Sequence, residues 1–151
     1  MIEILKLTRD FIDGMVKIEN ECFSTPWSRK CLEDLLICDY AVYFVAFDTE
    51  SKEVAGYSGM YVSLDTGAIN NIGVLPEYRR RGIGEKLLTA LEDYSASNNI
   101  TLLTLEVRSS NVPAVAMYEK HGFIKVGKRK NYYRMPTEDG LLYNKEINCN
   151  Q

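Results

Sequence analysis

Residues 2–7 alternate apolar and polar side chains, the two-residue period of a strand with one buried face. Thr8 then stands where a helix N-cap belongs, and Phe11, Ile12, Met15, Val16, Ile18 and Glu19 follow with helical spacing. Pro26 closes that region. Ser28 caps a second helix carrying Leu32, Leu35 and Leu36, and Pro26-Trp27 between the two helices predicts a shaped loop. Residues 40–48 and 54–62 read as strands about the polar turn Thr49-Glu50-Ser51-Lys52, a hairpin pattern. A third strand, 68–75, stops at Pro76. From Gly84 the pattern turns helical, with Leu87, Leu88, Leu91 and Tyr94 on one face as far as Asn98-Asn99.

A buried strand over 100–107 follows. Asn111 caps a short helix through Met117 and Tyr118, with Pro113 in its tolerated first turn and Gly122 as the glycine that ends it. Strands at 123–131 and 141–147 complete the order β-α-α-β-β-β-α-β-α-β-β. That order implies an α+β fold, an α/β sandwich on a mostly antiparallel sheet. No repeat, linker or low-complexity tract interrupts it, so residues 1–151 read as a single domain.

Composition excludes several classes. The chain is 46% hydrophobic and 26% charged, an ordinary globular balance. Its net charge of −3 gives no global attraction to nucleic acid or an anionic membrane. Lys125, Lys128, Arg129, Lys130 and Arg134 form a local basic run, which reads either as a solvated face or as contact with an anionic partner. There is no signal peptide pattern and no apolar run of membrane-spanning length. Cys22, Cys31, Cys38 and Cys149 lack C-x-x-C spacing, and His121 is the one imidazole, so no metal site is expected and the thiols read as free and cytoplasmic.

The most informative chemistry lies at 71–84, where a strand, Pro76 and the basic turn Arg79-Arg80-Arg81-Gly82-Ile83-Gly84 lead into an amphipathic helix. Gly82 and Gly84 allow close approach of the backbone to a bulky anion. The unpaired N–H groups and positive dipole end of the helix then favour phosphate oxygens. By itself this pattern is equally that of a surface turn before a helix.

A second constellation runs from Leu105-Glu106-Val107-Arg108 to Met117-Tyr118-Glu119, with a carboxylate near a strand end and a tyrosine 12 residues later on the next helix. Such positions converge on ligand sites in sheets of this kind. A protonated amine cannot attack a thioester, so a glutamate that accepts its proton and a phenol that protonates the leaving thiolate make a coherent pair. Taken alone, Glu106 is equally a salt-bridge partner of Arg108 or Arg79, Tyr118 a core aromatic, Asn111 a helix cap and His121 a helix-end cation.

The pattern Arg-x-x-Gly-x-Gly between strand and helix resembles the acyl-CoA pyrophosphate loop of the GNAT superfamily of N-acetyltransferases. The resemblance extends along nearly the whole chain. Phe-Ser-Thr-Pro-Trp-Ser (23–28), Asn-Ile-Gly-Val (71–74), Leu-Glu-Val-Arg-Ser-Ser-Asn (105–111) and Asn-Tyr-Tyr (131–133) bring it nearest to the bacterial ribosomal-protein-alanine branch. The resemblance implies a central sheet of about seven strands flanked by about four helices. It also implies acetyl-CoA as cosubstrate, no metal, and direct transfer without an acyl-enzyme.

Residue by residue, it places Glu106 as general base and Tyr118 as general acid. Ile72, Gly73 and Val74 would hold the pantetheine arm. Arg79, Arg80, Arg81, Gly82, Ile83, Gly84 and Glu85 would surround the pyrophosphate, and Asn111 would contact the cofactor. Trp27, Tyr132 and Tyr133 would border the acceptor. The implied partner is a protein N-terminus, that of a ribosomal protein starting with alanine or another small residue, with no direct nucleic-acid or membrane contact. A lysine, polyamine or other small amine is the alternative acceptor, and a non-catalytic acyl-CoA-binding module the third reading. Two departures from the pattern bear on the acceptor: Asp65-Thr66-Gly67 replaces a more acidic stretch, and Asn70 stands where an apolar residue is common.

Overall fold

A computed structural model of the chain describes residues 1–134 and 136–149. Strands β1 (Ile2–Lys6), β2 (Ala41–Asp48), β3 (Glu53–Ser63), β4 (Thr66–Val74), β5 (Leu102–Arg108), β6 (Ile124–Tyr133) and β7 (Glu138–Glu146) form one sheet in the order β1-β2-β3-β4-β5-β7-β6. Four α-helices accompany it: α1 (Ile12–Cys22), α2 (Arg29–Asp34), α3 (Ile83–Ser97) and α4 (Val112–Lys120). Every neighbouring pair of strands is antiparallel except β4 and β5.

Successive side chains of a strand point to opposite faces. In β3, Tyr57 donates to Glu19 of α1, whereas Ser58 donates to the Leu87 carbonyl of α3 at 3.0 Å. The two helices therefore cover opposite faces of the sheet, and the sandwich expected from the element order is realised. Met15 and Ile18 of α1 and Leu87, Leu88 and Leu91 of α3 are the fully buried residues that close it. None of the described helices is long and apolar enough to cross a membrane.

Local signals held where a side chain caps a backbone. The Ser28 hydroxyl accepts from Cys31 N at 3.2 Å, and Asn111 Oδ1 accepts from Ala114 N at 3.3 Å. Thr8 makes no such bond; a 3-10 turn at Arg9–Phe11 intervenes and α1 begins at Ile12. β7 starts at Glu138, three positions before the apolar run at 141, because Glu138 pairs with Tyr133 of β6 and Gly140 with Arg108 at the end of β5.

The parallel pairing of β4 with β5 is short. It runs from Thr66↔Leu102 to Ile69↔Leu105 and stops. At the same point β4 carries a bulge: Met60 of β3 opposes Ile69 and Gly59 opposes Asn71, leaving Asn70 as the extra residue. A bulge bends its strand and increases the local twist. Beyond it the two strands separate, and the first residue of β5 past the last pair is Glu106. Asn70, where the resemblance leads to an apolar residue being expected, thus lies at the split, with its Nδ2 donating to the Tyr43 hydroxyl at 3.0 Å.

Candidate active site

Two cavities meet at the split between β4 and β5. The larger, about 750 Å³, is lined by Ile72, Gly73 and Val74 and by Arg79, Arg80, Gly82, Ile83, Gly84 and Glu85 at the start of α3. The smaller, about 360 Å³, is lined by Glu106, Tyr118, Tyr133 and Trp27, with Glu19 and Arg108 in its walls. Cys22, Phe23, Ile72, Asn111 and Ala114 line both.

The larger cleft suits an extended thiol ester of a nucleotide. Gly82 is the N-cap of the 15-residue α3, has φ of 74°, and provides no side-chain cap for the first-turn N–H groups. A Cβ there would meet nothing within 4 Å, so the backbone faces open space. Arg80 also has positive φ, 65°, which turns the loop tightly. Unpaired N–H groups at the dipole end of a long helix are ready to bind phosphate oxygens.

The arginines divide. Arg79 Nε donates to the Val74 carbonyl at 3.0 Å, and Arg81 donates to the Glu77 carbonyl at 3.2 Å while stacking 5.2 Å from the Tyr78 ring. Arg81 lies outside the lining of the cleft. Glu85 would repel an anion but is paired with Lys120 at 2.9 Å and His121 at 3.4 Å. His121 also meets Glu92 at 3.1 Å, so it bridges α3 and the end of α4.

In the smaller cavity Glu106 is 26% exposed, and its Oε1 lies 3.3 Å from Nε of Arg129. Neither Arg108 nor Arg79, the partners read from the sequence, is involved. The other oxygen, Oε2, is buried without a hydrogen-bond partner among the described residues. A buried acceptor left unmade is costly, and such groups mark sites completed by a ligand or water.

Tyr118 is buried against Phe123, at 5.6 Å between ring centroids, and its hydroxyl forms no hydrogen bond among the described residues. Burial pushes its phenol well above the ordinary value, and the neighbouring Tyr133 adds to this. Burial likewise raises Tyr133 to about 12, assisted by the Glu106 charge. Both phenols keep their protons at neutral pH.

Tyr132 is 48% exposed, stacks under Arg129 at 5.2 Å, and stands outside both cavities. Arg108, which the sequence offered merely as an alternative partner of Glu106, ties the site's rim together. It donates to the carbonyls of Arg134 (2.7 Å) and Pro136 (3.0 Å), and reaches Glu138 (3.4 Å) and the Ser24 hydroxyl (3.4 Å). Its guanidinium lies 4.6 Å from the Tyr133 ring.

A split parallel pair with a glycine-rich helix start on one side and a carboxylate on the other is an arrangement suited to an acyl-CoA transferase. The sequence matches the acetyltransferase (GNAT) family over residues 12–123. The chain belongs to that family, and is an acetyl-CoA-dependent N-acetyltransferase. Among its relatives is the [ribosomal protein bS18]-alanine N-acetyltransferase of Escherichia coli (strain K12), 36% identical over 124 residues that make up 82% of this chain and 80% of that protein. The crystal structure of the ribosomal-protein-S18-alanine N-acetyltransferase from Escherichia coli superimposes with a TM-score of 0.90 at 30% identity, covering 100% of this chain and 97% of that one. Arabidopsis thaliana NAA60, crystallised with acetyl-CoA, has the same fold at 19% identity, with a TM-score of 0.88 and 97% and 100% coverage.

Proposed function

We propose that this enzyme acetylates the N-terminal α-amine of a protein, specifically a ribosomal protein that begins with alanine or another small residue. The observation that carries the reading is Glu106, a carboxylate lining the smaller cavity, which adjoins the larger one, with one oxygen buried and unpartnered. The names borne by the relatives supply the acceptor class.

Acetyl-CoA, when bound, supplies the activated acyl group as a thioester. Ile72, Gly73 and Val74, in the part of β4 that no longer pairs with β5, lie along the cleft that takes the pantetheine arm. The start of α3 and Arg80 hold the pyrophosphate. Asn111, lining both cavities, orients the reacting end. Glu106 accepts the proton of the incoming ammonium, directly or through one water. Tyr118, kept neutral by burial, donates its proton to the departing sulfur. Trp27 and Tyr133 border the acceptor. All of this operates within one domain and in the cytoplasm, where ribosomal proteins are made.

The acceptor cavity favours a peptide over a polyamine. Its carboxylates are not a bare negative cluster: Glu106 faces Arg129, and Glu19 is hydrogen-bonded on both oxygens. A peptide α-amine, with a pKa of about 7.7–8.0, also loses its proton more readily than a lysine near 10.4. The test compares peptides beginning with alanine, the same peptides blocked at the α-amine but carrying lysine, and free polyamines at equal concentration. Turnover confined to the free α-amine supports the reading; equal or faster turnover of polyamines overturns it.

A further inference from the structure

The acceptor cavity contains a second carboxylate to which the reaction assigns no task. Glu19, on α1, is 1% exposed. Its Oε1 accepts from the backbone N–H of Trp27 at 2.6 Å, and its Oε2 accepts from the Tyr57 hydroxyl. The same hydroxyl accepts from Asn71 Nδ2 at 3.4 Å. Asn71 is the first β4 residue after the bulge at Asn70. One buried carboxylate thus joins the α1–α2 loop to the strand segment where the sheet opens.

We infer that Glu19 is the positioning residue of the acceptor site, fixing the Trp27 loop relative to the split in the sheet. A link between helix and sheet alone needs no charge; apolar packing serves that purpose and costs less to bury. What a carboxylate does here is hold a backbone N–H in residues 23–28, a stretch with no helix or strand of its own. The loop is tied at both of its ends: Ser24 meets Arg108, and Ser28 caps α2 immediately after Trp27. Between those ties, the Glu19–Trp27 bond sets how far the indole reaches over the cavity that both residues line. The inference rests on that cavity being the acceptor site, and the test is chosen to separate the two.

Trp27 is the single tryptophan of the chain, so its fluorescence reports the loop without any acceptor. Glu19→Ala and the milder pair Glu19→Gln and Tyr57→Phe are compared with the parent. In Glu19→Ala, acrylamide quenching of Trp27 rises about twofold, KM for the acceptor peptide rises about tenfold, and KM for acetyl-CoA changes less than about twofold. Glu19→Gln moves both loop readouts the same way but by less, about 1.5-fold in quenching, since its neutral amide oxygen accepts from the Trp27 N–H more weakly than a carboxylate does. Tyr57→Phe leaves the Trp27 bond in place and keeps the parental quenching. Unchanged quenching in Glu19→Gln and Glu19→Ala contradicts the inference, as does an equal rise in both KM values. If Glu19→Ala does not fold, Glu19→Gln against Tyr57→Phe decides: equal quenching in the two overturns it. Should the parent acetylate no peptide, the proposed acceptor fails while the fluorescence still judges Glu19.

Discussion

Arg129 meets Glu106 across the intervening strand β7, with 3.3 Å between its Nε and Oε1 of the carboxylate. It takes the outer oxygen and leaves the buried one, Oε2, for whatever enters the site. Arg129 is 56% exposed, and exposed ion pairs contribute about 0.2–1 kcal/mol. Arg129→Ala is therefore expected to lower kcat/KM by no more than about fivefold and to leave stability nearly unchanged. Steady-state kinetics with both substrates checks this; a loss approaching that of Glu106 substitutions would mean that Arg129 itself touches the reacting atoms.

Glu106→Gln keeps shape and removes the proposed proton acceptor. The expected fall in kcat is about 10²–10⁴-fold. The affinity for acetyl-CoA, measured calorimetrically, should stay within about twofold because the cleft is built from other residues. A variant with parental kcat sinks the assignment of Glu106 as base.

Tyr118→Phe separates chemistry from packing. The hydroxyl has no hydrogen-bond partner among the described residues and its burial disfavours the charged form. Its removal should lower kcat by about 10² or more while leaving the melting temperature unchanged or slightly higher. A marked loss of stability with normal kcat would make Tyr118 a core residue only.

Gly82→Ala tests the phosphate loop. No atom would clash with the new Cβ, so the penalty is conformational: a φ of 74° costs an L-residue about 1–2 kcal/mol. Thermal unfolding should show that loss, and calorimetry should show weaker acetyl-CoA binding. Gly84→Ala, with a Cβ 3.4 Å from Met117 Sδ and no positive φ, should destabilise less. The reverse ranking contradicts the account.

Tyr78 sits in the 3-10 turn Pro76–Tyr78 just before that loop, and its hydroxyl donates to Asp48 at 2.8 Å. This bond, with the Glu50 backbone N–H, holds the Asp48 carboxyl down to about 2. A carboxyl with a depressed folded pKa adds stability above its unfolded value of about 3.9, lost as pH falls through the folded value. Asp48→Asn should therefore be less stable than the parent at neutral pH, with the gap closing between about pH 4 and pH 2. Denaturant unfolding across that range reads it directly; a gap independent of pH argues that the carboxylate's charge is irrelevant.

The features that could be read from the chain are those carried by neighbours in sequence. The caps at Ser28 and Asn111, the hairpin between β2 and β3, the glycines of the loop and the Glu106 and Tyr118 motif are all local patterns. What escaped depends on distant pairing. Arg129 reads as one charge in a basic run because only the β6–β7–β5 register brings it to Glu106. Asn70 reads as an odd polar residue because a bulge is defined by the strand opposite. Glu19 falls into a helical pattern, and nothing nearby in sequence announces Tyr57 as its partner.

The most direct test of the central claim is mass spectrometry of native protein N-termini from cells with and without this enzyme. The account predicts that one ribosomal protein beginning with alanine or another small residue loses one acetyl group at its α-amine when the enzyme is absent, and regains it with the parent chain but not with Glu106→Gln. Ribosomal N-termini that are identical in both cells, alongside acetylation lost from a lysine or a small amine, would contradict it.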